Sequence, residues 1–193
     1  MKNEPKNILI VRTDRIGDLI LTLPLAGLIK KQYPDSRVSF LVREYTKNIV
    51  SNHPYVDEVI VLKESDGNVP LFENVNIIKQ KKFDTCIVVY PRFKISLIVF
   101  FSGIKNRIGT GYRWYSFLFN RKVYEHRKNA ERHELEYNVN LLEKLGVKTN
   151  ISDSSVSYDF RVDESSLQNV IRILIDEKID LQKPIIIIHP GSG

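Results

Sequence analysis

Short apolar runs alternate along the chain with segments of helical spacing. Residues 7–12 read Asn-Ile-Leu-Ile-Val-Arg, a pattern typical of a strand buried on both faces of a parallel sheet. A polar turn follows at 13–18, and apolar residues then recur at near-helical spacing from 19 to 29. Pro24 interrupts that pattern. Because proline lacks an N–H and clashes with the preceding turn, we predict a helix break near Leu23.

The same cycle of strand and helix continues to the end of the chain. Further strands are predicted over 37–42, 59–62, 84–90 and 107–108, and further helices over 45–51, 71–81, 93–102, 134–145 and 165–176. A last apolar run at 185–188 predicts a buried strand that leads into the Gly-rich turn 189–193. This alternation indicates an α/β fold, a doubly wound, mostly parallel, Rossmann-like sheet.

Composition narrows the class of protein further. At 193 residues and 42% apolar content, the chain is too apolar to be disordered and long enough for one sizeable core. Its one cysteine, Cys86, excludes an intramolecular disulfide and a Cys-rich metal site, and favours a reducing, cytoplasmic setting. The first apolar run is far too short for a signal peptide or a bilayer span, so we expect no membrane-spanning segment.

Positive charge is concentrated in one part of the chain. The formal net charge is +6, yet residues 77–132 hold thirteen Lys and Arg against three Asp and Glu, a local charge of +10. Such a field attracts nucleic acid, an anionic membrane or a phosphorylated substrate. Residues 109–129, which are basic and aromatic and lack periodicity, form a candidate functional loop.

The turn after the first strand is the expected place for a site, because ligands of doubly wound sheets bind beyond the carboxyl ends of the strands. Asp18 is the leading candidate, and Gly17 would let the backbone turn and a ligand approach closely. Arg12 and Arg15 would be anion contacts or solvated charges. The alternative, favoured by spacing alone, is that Asp18 caps the helix. No dinucleotide-binding or P-loop fingerprint is present here.

An ordered set of short motifs runs through the whole chain. They are Ile8-Leu9-Ile10-Val11-Arg12, Arg15-Ile16-Gly17-Asp18, Thr22-Leu23-Pro24, Arg107-Ile108-Gly109, Phe119-Asn120-Arg121-Lys122, His133-Glu134 with Asn138, Leu145-Gly146 and His189-Pro190-Gly191-Ser192. The set resembles glycosyltransferase family 9, the ADP-heptose:lipopolysaccharide heptosyltransferases. It corresponds to the N-terminal half of that family's two-lobed GT-B architecture.

The resemblance implies an inverting transfer of heptose or a related sugar from ADP-heptose to a lipopolysaccharide core acceptor, with Asp18 as general base. The residues expected to bind the anionic acceptor are Arg15, Gly17, Arg121, Lys122, Arg113 and His133. Arginine suits phosphate and carboxylate groups because its planar fork makes bidentate hydrogen bonds. A solvated surface position remains the alternative for Arg113, and a capping role for His133.

The resemblance also implies a division of the chain and its partners. Residues 1–183 would be the acceptor-binding domain and 184–193 the first strand and turn of a missing donor-binding domain, so the chain alone is expected to be inactive. The expected partners are a lipid-linked anionic sugar, the inner face of the cytoplasmic membrane and the missing lobe, in cis or in trans. No metal, other cofactor or specific nucleic acid is expected. The alternative is a non-catalytic Rossmann-like module that binds anionic lipid or nucleic acid through residues 107–132.

Overall fold

The computed structural model describes residues 4–65, 67–125, 132–148 and 156–188. They fall into two compact units, Met1–Phe160 and Arg161–Gly193. The strands are β1 (Asn7–Val11), β2 (Arg37–Val42), β3 (Glu58–Val61), β4 (Thr85–Val88), β5 (Asn106–Thr110) and β6 (Arg121–Val123). The α-helices are α1 (Ile16–Ile20), α2 (Pro24–Gln32), α3 (Lys47–Ser51), α4 (Leu71–Gln80), α5 (Phe93–Phe101), α6 (Glu134–Asn140) and α7 (Glu164–Asp176).

The first unit is built on a six-stranded sheet in the order β3-β2-β1-β4-β5-β6. All five pairings are parallel, and Ile8 of β1 lies opposite Val38 of β2 and Thr85 of β4. The chain leaves β1 for β2 on one side and later returns to place β4 on the other. The carboxyl ends of β1 and β4 therefore form the topological switch point, where such sheets bind ligands.

Helices cover both faces of this sheet, as the predicted doubly wound fold requires. Side chains alternate along β1, so that Ile8 and Ile10 enter one buried cluster with residues of α2 and α6. Leu9 and Val11 enter a second cluster with residues of α4 and α5. The burial of β1 on both faces explains why its sequence is continuously apolar.

The helix break near Leu23 is confirmed. Helix α1 ends at Ile20, and α2 begins at Pro24, which occupies the first helical position. Proline is well suited to this position because its N–H would lack a helical partner there in any case. The break turns α2 onto the sheet and leaves α1 as a single turn directly after the end of β1.

Two elements of the structure differ from the sequence prediction. Strand β6 had no alternating pattern to reveal it, because its three residues are half-buried and two of them are the basic Arg121 and Lys122. The helix predicted over 134–145 divides into α6 and a 3₁₀ turn, Leu141–Leu145, which ends at Gly146 with φ 98°. A left-handed backbone of this kind suits glycine.

The structure assigns no strand to residues 185–188, and their role as the first strand of a further domain stays a prediction. The backbone of these four isoleucines adopts no strand, and all four side chains are exposed. A strand requires a neighbour to accept and donate its backbone hydrogen bonds, and apolar sequence alone supplies none. The predicted turn at 189–193 lies outside the described residues.

The second unit contains α7. Its N-cap residue is Asp163, whose Oδ1 accepts a hydrogen bond of 2.9 Å from the backbone N–H of Ser166. Hydrogen bonds from Ser165 and Ser166 lower the pKa of the Asp163 carboxyl to about 2. Among the described residues, no helix has both the length and the hydropathy required to span a membrane.

Candidate functional site

Charged side chains converge at the switch point from three parts of the chain. Arg12 and Asp14 directly follow β1, and Asp18 lies on α1. Glu134 and Asn138 come from α6. The loop after β4 adds an aromatic wall. These elements meet because β1 and β4 are neighbours and α6 packs against α2 on one face of the sheet.

Arg12 lies at the centre of this arrangement and is only 2% exposed. Its Nε and Nη2 donate to the carboxylate of Asp14 over 2.6 and 2.9 Å. The same Nη2 lies 3.0 Å from Oδ1 of Asp18, and Nη1 lies 3.1 Å from Oε1 of Glu134. The expectation that Arg12 is a solvated charge or an open anion contact is therefore wrong. Its planar fork organises three carboxylates of the chain itself.

Asp18 does not cap its helix. The N-cap position of α1 belongs to Arg15, and Asp18 occupies the third position of the helix. Its carboxylate faces Arg12 and remains 35% exposed. The carboxylate is thus anchored through one oxygen and accessible from solvent, which is the geometry that proton transfer with a bound hydroxyl requires.

Asp14 is a buried carboxyl that was not predicted from the sequence. Burial raises its pKa, and the charge and hydrogen bonds of Arg12 offset this only in part, while the nearby Asp18 raises it further. The Tyr45 hydroxyl donates a hydrogen bond to the backbone carbonyl of Asp14. The bond fixes the course of the turn that leads from β1 to α1.

Asn138 joins α6 to the break between α1 and α2. It is fully buried, and its Nδ2 donates to the carbonyl of Leu21 over 3.0 Å and to Oγ1 of Thr22 over 3.3 Å. Its Oδ1 lies 3.5 Å from Nη1 of Arg12. The Thr22 hydroxyl in turn donates to the backbone carbonyl of Asp18 over 2.8 Å. This chain of contacts locks the helical turn that carries Asp18.

Tyr90 forms the wall of the site on the β4 side. The guanidinium carbons of Arg12 and Arg92 lie 5.6 and 5.5 Å from the centre of its ring. Both distances are within the range of cation–π attraction. Arg92 is exposed, whereas Arg12 is buried. The site therefore combines a buried cation and an exposed one at the same aromatic ring.

Two of the predicted binding residues lie beside Asp18. Arg15 and Gly17 are both exposed on the turn that begins α1. A Cβ added to Gly17 would meet nothing within 4 Å, and its φ is not in the left-handed region. The chain's own backbone thus does not require glycine there, and that expectation is wrong. The closer approach of a ligand at Gly17 stays a prediction.

His133 is the N-cap residue of α6. Its Nδ1 accepts a hydrogen bond of 3.3 Å from the backbone N–H of Leu135, and the residue is exposed. The capping alternative is thus what the structure shows. A contact between its other ring nitrogen and a substrate stays a prediction. His133 directly precedes Glu134, which places it next to the Arg12 network.

The remaining predicted binding residues lie farther along the sheet. Arg121 and Lys122 are on β6, three strands from β1 and therefore roughly 14 Å across the sheet. The Nη1 of Arg121 donates to the carbonyl of Lys144 over 3.0 Å. Arg113 is exposed in the loop after β5. The structure does not bring Arg121 and Lys122 together with Asp18.

The described residues contain no group of three or more His, Cys, Asp or Glu arranged to hold a metal ion. Asp14, Asp18 and Glu134 are close together, but all three carboxylates are directed at the guanidinium of Arg12. A cation already occupies the place that a metal would take. The expectation that the reaction needs no metal or other cofactor stays a prediction.

Comparison with known protein families shows which family this chain belongs to. Residues 74–193 match glycosyltransferase family 9 (heptosyltransferase). The chain belongs to this family. A putative glycosyltransferase of Haemophilus influenzae is 27% identical over 190 residues, which are 97% of this chain and 55% of that relative. Lipopolysaccharide heptosyltransferase 3 of Escherichia coli is 24% identical over 148 residues, 74% of this chain and 44% of that protein.

Solved structures of family 9 members share the fold. A family 9 glycosyltransferase from Veillonella parvula superposes with a TM-score of 0.75 at 22% identity and covers 94% of this chain. The ADP-heptose lipopolysaccharide heptosyltransferase II of E. coli superposes with a TM-score of 0.68 at 19% identity and covers 93%. In both cases the chain spans 52% of the other protein. This family 9 chain therefore spans about half the length of the relatives that it matches.

Proposed function

We propose that this family 9 chain is the acceptor-binding half of a glycosyltransferase that transfers heptose or a related sugar from ADP-heptose to a lipopolysaccharide core acceptor. Asp18 acts as the general base. The observation that carries this proposal is the carboxylate of Asp18, partly exposed at the switch point and 3.0 Å from a buried arginine. Family membership supplies the class of reaction.

The chemistry assigned to Asp18 is one proton transfer. A sugar hydroxyl of the acceptor attacks the anomeric carbon of the donor, and a new carbon–oxygen bond forms as the bond to the diphosphate breaks. ADP departs from the opposite face, so the anomeric configuration inverts. The hydroxyl proton passes to the Asp18 oxygen that does not face Arg12. Arg12 holds the other oxygen, so that the base points toward the attacking hydroxyl.

Exposed basic residues near this carboxylate supply the contacts for an anionic acceptor. Arg15 lies on the same turn, and Arg92 contacts the same Tyr90 ring as Arg12 does. Arg113 is exposed in the loop after β5, and His133 is exposed at the start of α6. We assign the donor to the remaining half of the enzyme, in cis or in trans, with no metal. The lipid-linked acceptor places the enzyme at the inner face of the cytoplasmic membrane as a peripheral protein.

Replacement of Asp18 by asparagine tests the base assignment. The variant is made in the complete reading frame that carries the chain, and ADP release is measured with ADP-heptose and a phosphorylated lipid A core acceptor. Asp18→Asn is expected to lower kcat by about 10²- to 10⁴-fold, the usual contribution of a general base. The matched control is Asp35→Asn, an exposed aspartate in the turn after α2, which should retain full activity.

Three results bear on the proposal in different ways. Unchanged turnover in Asp18→Asn would remove the base assignment while leaving the transferase assignment intact. Absence of any transfer by the complete frame, with a folded protein, would contradict the transferase assignment itself. The 193-residue chain assayed alone should release ADP at no more than the background rate, because the donor-binding residues are assigned to the other half.

A further inference from the structure

We infer that the surface formed by Arg92, Phe93, Lys94, Arg113, Trp114 and Phe117, here called the Trp114 surface, docks onto an anionic lipid bilayer. The inference rests on exposed aromatic side chains, on basic side chains without a carboxylate partner, and on the position of both at one edge of the sheet. It extends the proposed function, which requires a lipid-linked acceptor, by assigning the part of the chain that meets the lipid.

The aromatic part of the surface is unusually exposed for side chains of this size. Trp114 is 73% exposed and Phe117 is 65% exposed. The rings of Phe93 and Trp114 lie 4.6 Å apart, and both pack on Tyr115 at centroid distances of 5.6 and 5.4 Å. Tyr115 is buried and donates to the carbonyl of Pro91 over 2.8 Å. The exposed rings therefore stand on a rigid base.

The charge around these rings has one sign. Residues 85–124 contain seven Lys and Arg and no Asp or Glu. Arg92, Lys94 and Arg113 are exposed. In the part of the chain that the structure describes, no carboxylate lies within salt-bridge distance of these three residues. Lys94 donates a hydrogen bond to Oδ1 of Asn68 over 2.6 Å, and Arg92 lies over the ring of Tyr90, so both keep their full positive charge. Basic residues that no carboxylate neutralises, beside exposed aromatic rings, match the chemistry of an anionic lipid surface.

The surface lies at the same edge of the sheet as Asp18. Phe93 follows the carboxyl end of β4, and Trp114 follows the carboxyl end of β5. Asp18 follows the carboxyl end of β1, which pairs in parallel with β4. Parallel strands end at a common edge. A bilayer docked on the Trp114 surface would therefore bring headgroup sugars to the side of the domain that holds the proposed base.

The ring packing favours lipid over nucleic acid. Proteins that bind single strands stack successive bases on free aromatic faces. Here the rings of Phe93 and Trp114 pack on each other at 4.6 Å, so they form one shared apolar surface rather than a row of separate ring faces. Tryptophan at a bilayer surface instead inserts its apolar ring among the headgroups, while Lys and Arg neutralise lipid phosphates.

The fluorescence of Trp114 can report on docking, because Trp114 is the one tryptophan of the chain. The chain is titrated with vesicles of phosphatidylglycerol and phosphatidylcholine, and separately with vesicles of phosphatidylcholine alone. With the anionic vesicles, the emission of Trp114 should shift to the blue and should be quenched by lipids brominated on the acyl chain. Raising the salt from about 0.05 to 0.5 M should weaken binding, because the attraction is screened.

Paired variants locate the docking surface. The double variant Arg92→Glu/Arg113→Glu should weaken binding to anionic vesicles by roughly tenfold or more in cosedimentation. Phe117→Ala, an exposed position, should weaken binding and should leave the melting temperature unchanged. The matched controls are Lys105→Glu and Phe101→Ala. Both are exposed, before β5 and at the far end of α5, and therefore at the opposite edge of the sheet. They should bind as the unaltered chain does.

The outcomes separate this inference from the proposed function. The vesicles contain no sugar acceptor, so docking does not depend on catalysis, and Asp18→Asn should bind them normally. No spectral shift at low salt, or equal losses in the test and control variants, would overturn the inference. A shift of Trp114 emission with duplex or single-stranded DNA but not with vesicles would overturn it in favour of nucleic acid.

Discussion

The guanidinium of Arg12 donates two hydrogen bonds to the carboxylate of Asp14, 2.6 and 2.9 Å long, in a pocket where both residues are buried. The two residues are neighbours on the turn after β1, yet the guanidinium also reaches Asp18 and Glu134. One side chain thus holds the carboxylate of the proposed base and joins α6 to the sheet. Stability and function are expected to depend on the same residue.

Removal of the Arg12 guanidinium should destabilise the fold. Arg12→Met would leave Asp14 buried without its cation, and breaking a buried ion pair from one side typically costs about 3–5 kcal/mol. Arg12→Lys keeps the charge but loses the planar fork, so it should be destabilised less than Arg12→Met. Urea unfolding of both variants measures the difference.

The control for this comparison is Arg15→Met, three residues along the same turn. Arg15 is exposed, so its removal should change the free energy of unfolding by no more than about 0.5 kcal/mol. If Arg12→Met were as stable as Arg15→Met, Arg12 would not be the organising residue of the network.

The free energy of unfolding should depend on pH in a way that reflects the protonation of Asp14. Its pKa is raised by burial, so the folded protein binds this proton at a higher pH than the unfolded chain does. Between the two pKa values the folded state holds more protons, and the contribution of Asp14 to stability therefore increases as pH falls. The free energy of unfolding of the unaltered chain, minus that of Asp14→Asn, should increase as the pH is lowered from 7 toward the ordinary pKa of aspartate.

Asp57→Asn provides the opposite case. Burial raises the pKa of Asp57, but hydrogen bonds from Lys30 and the Val38 N–H, together with the charges of Lys30 and Arg37, lower it below its ordinary value. Its stabilising contribution is present above that ordinary value and is lost as pH falls through the lowered pKa. The same subtraction for Asp57→Asn should therefore decrease in acid. Equal trends for the two variants would contradict the assignment for Asp14.

Asn138 should be costly to remove because it satisfies polar groups on two other segments of the chain, the turn after β1 and the break between α1 and α2. Asn138→Ala would leave the Leu21 carbonyl and a guanidinium N–H of Arg12 without this partner in a buried environment. The expected loss is about 1–3 kcal/mol of unfolding free energy. In the proposed transferase, kcat should also fall, since the turn that carries Asp18 loses a support. Glu143→Ala, an exposed change in the following 3₁₀ turn, is the control and should alter neither quantity.

Local sequence predicted the elements whose pattern is set by burial. Strand β2 matches its predicted bounds, Arg37–Val42, because five of its six residues are buried and four of those five are apolar. The break at Pro24 could be predicted because proline acts through local backbone sterics. By contrast, β6 has two basic residues out of three, and its pairing with β5 is set by the tertiary fold.

The site could be predicted only in part for a similar reason. Asp18 was found because it follows the first strand in a fold whose ligands bind at that edge. The roles of Arg12 and Glu134 were not found, since their contact joins residues 122 positions apart. A signal was present in the sequence, an arginine directly after a buried strand with aspartates two and six positions later. That spacing does not reveal which partner the arginine takes.

Gly109 and Gly111 offer a test of how tightly the sheet packs near β5. A Cβ at Gly109 would lie 2.9 Å from the ring of Phe119, which is only 2% exposed and belongs to the cluster beneath α4 and α5. That ring has no free space into which to move, so Gly109→Ala should cost about 1–3 kcal/mol through overpacking. A Cβ at Gly111 would also meet an aromatic ring, that of Tyr124. Tyr124 is exposed, and its ring can rotate into solvent, so Gly111→Ala should cost much less. Urea unfolding of both variants measures the contrast, and equal costs would show that Phe119 can give way as easily as Tyr124 does.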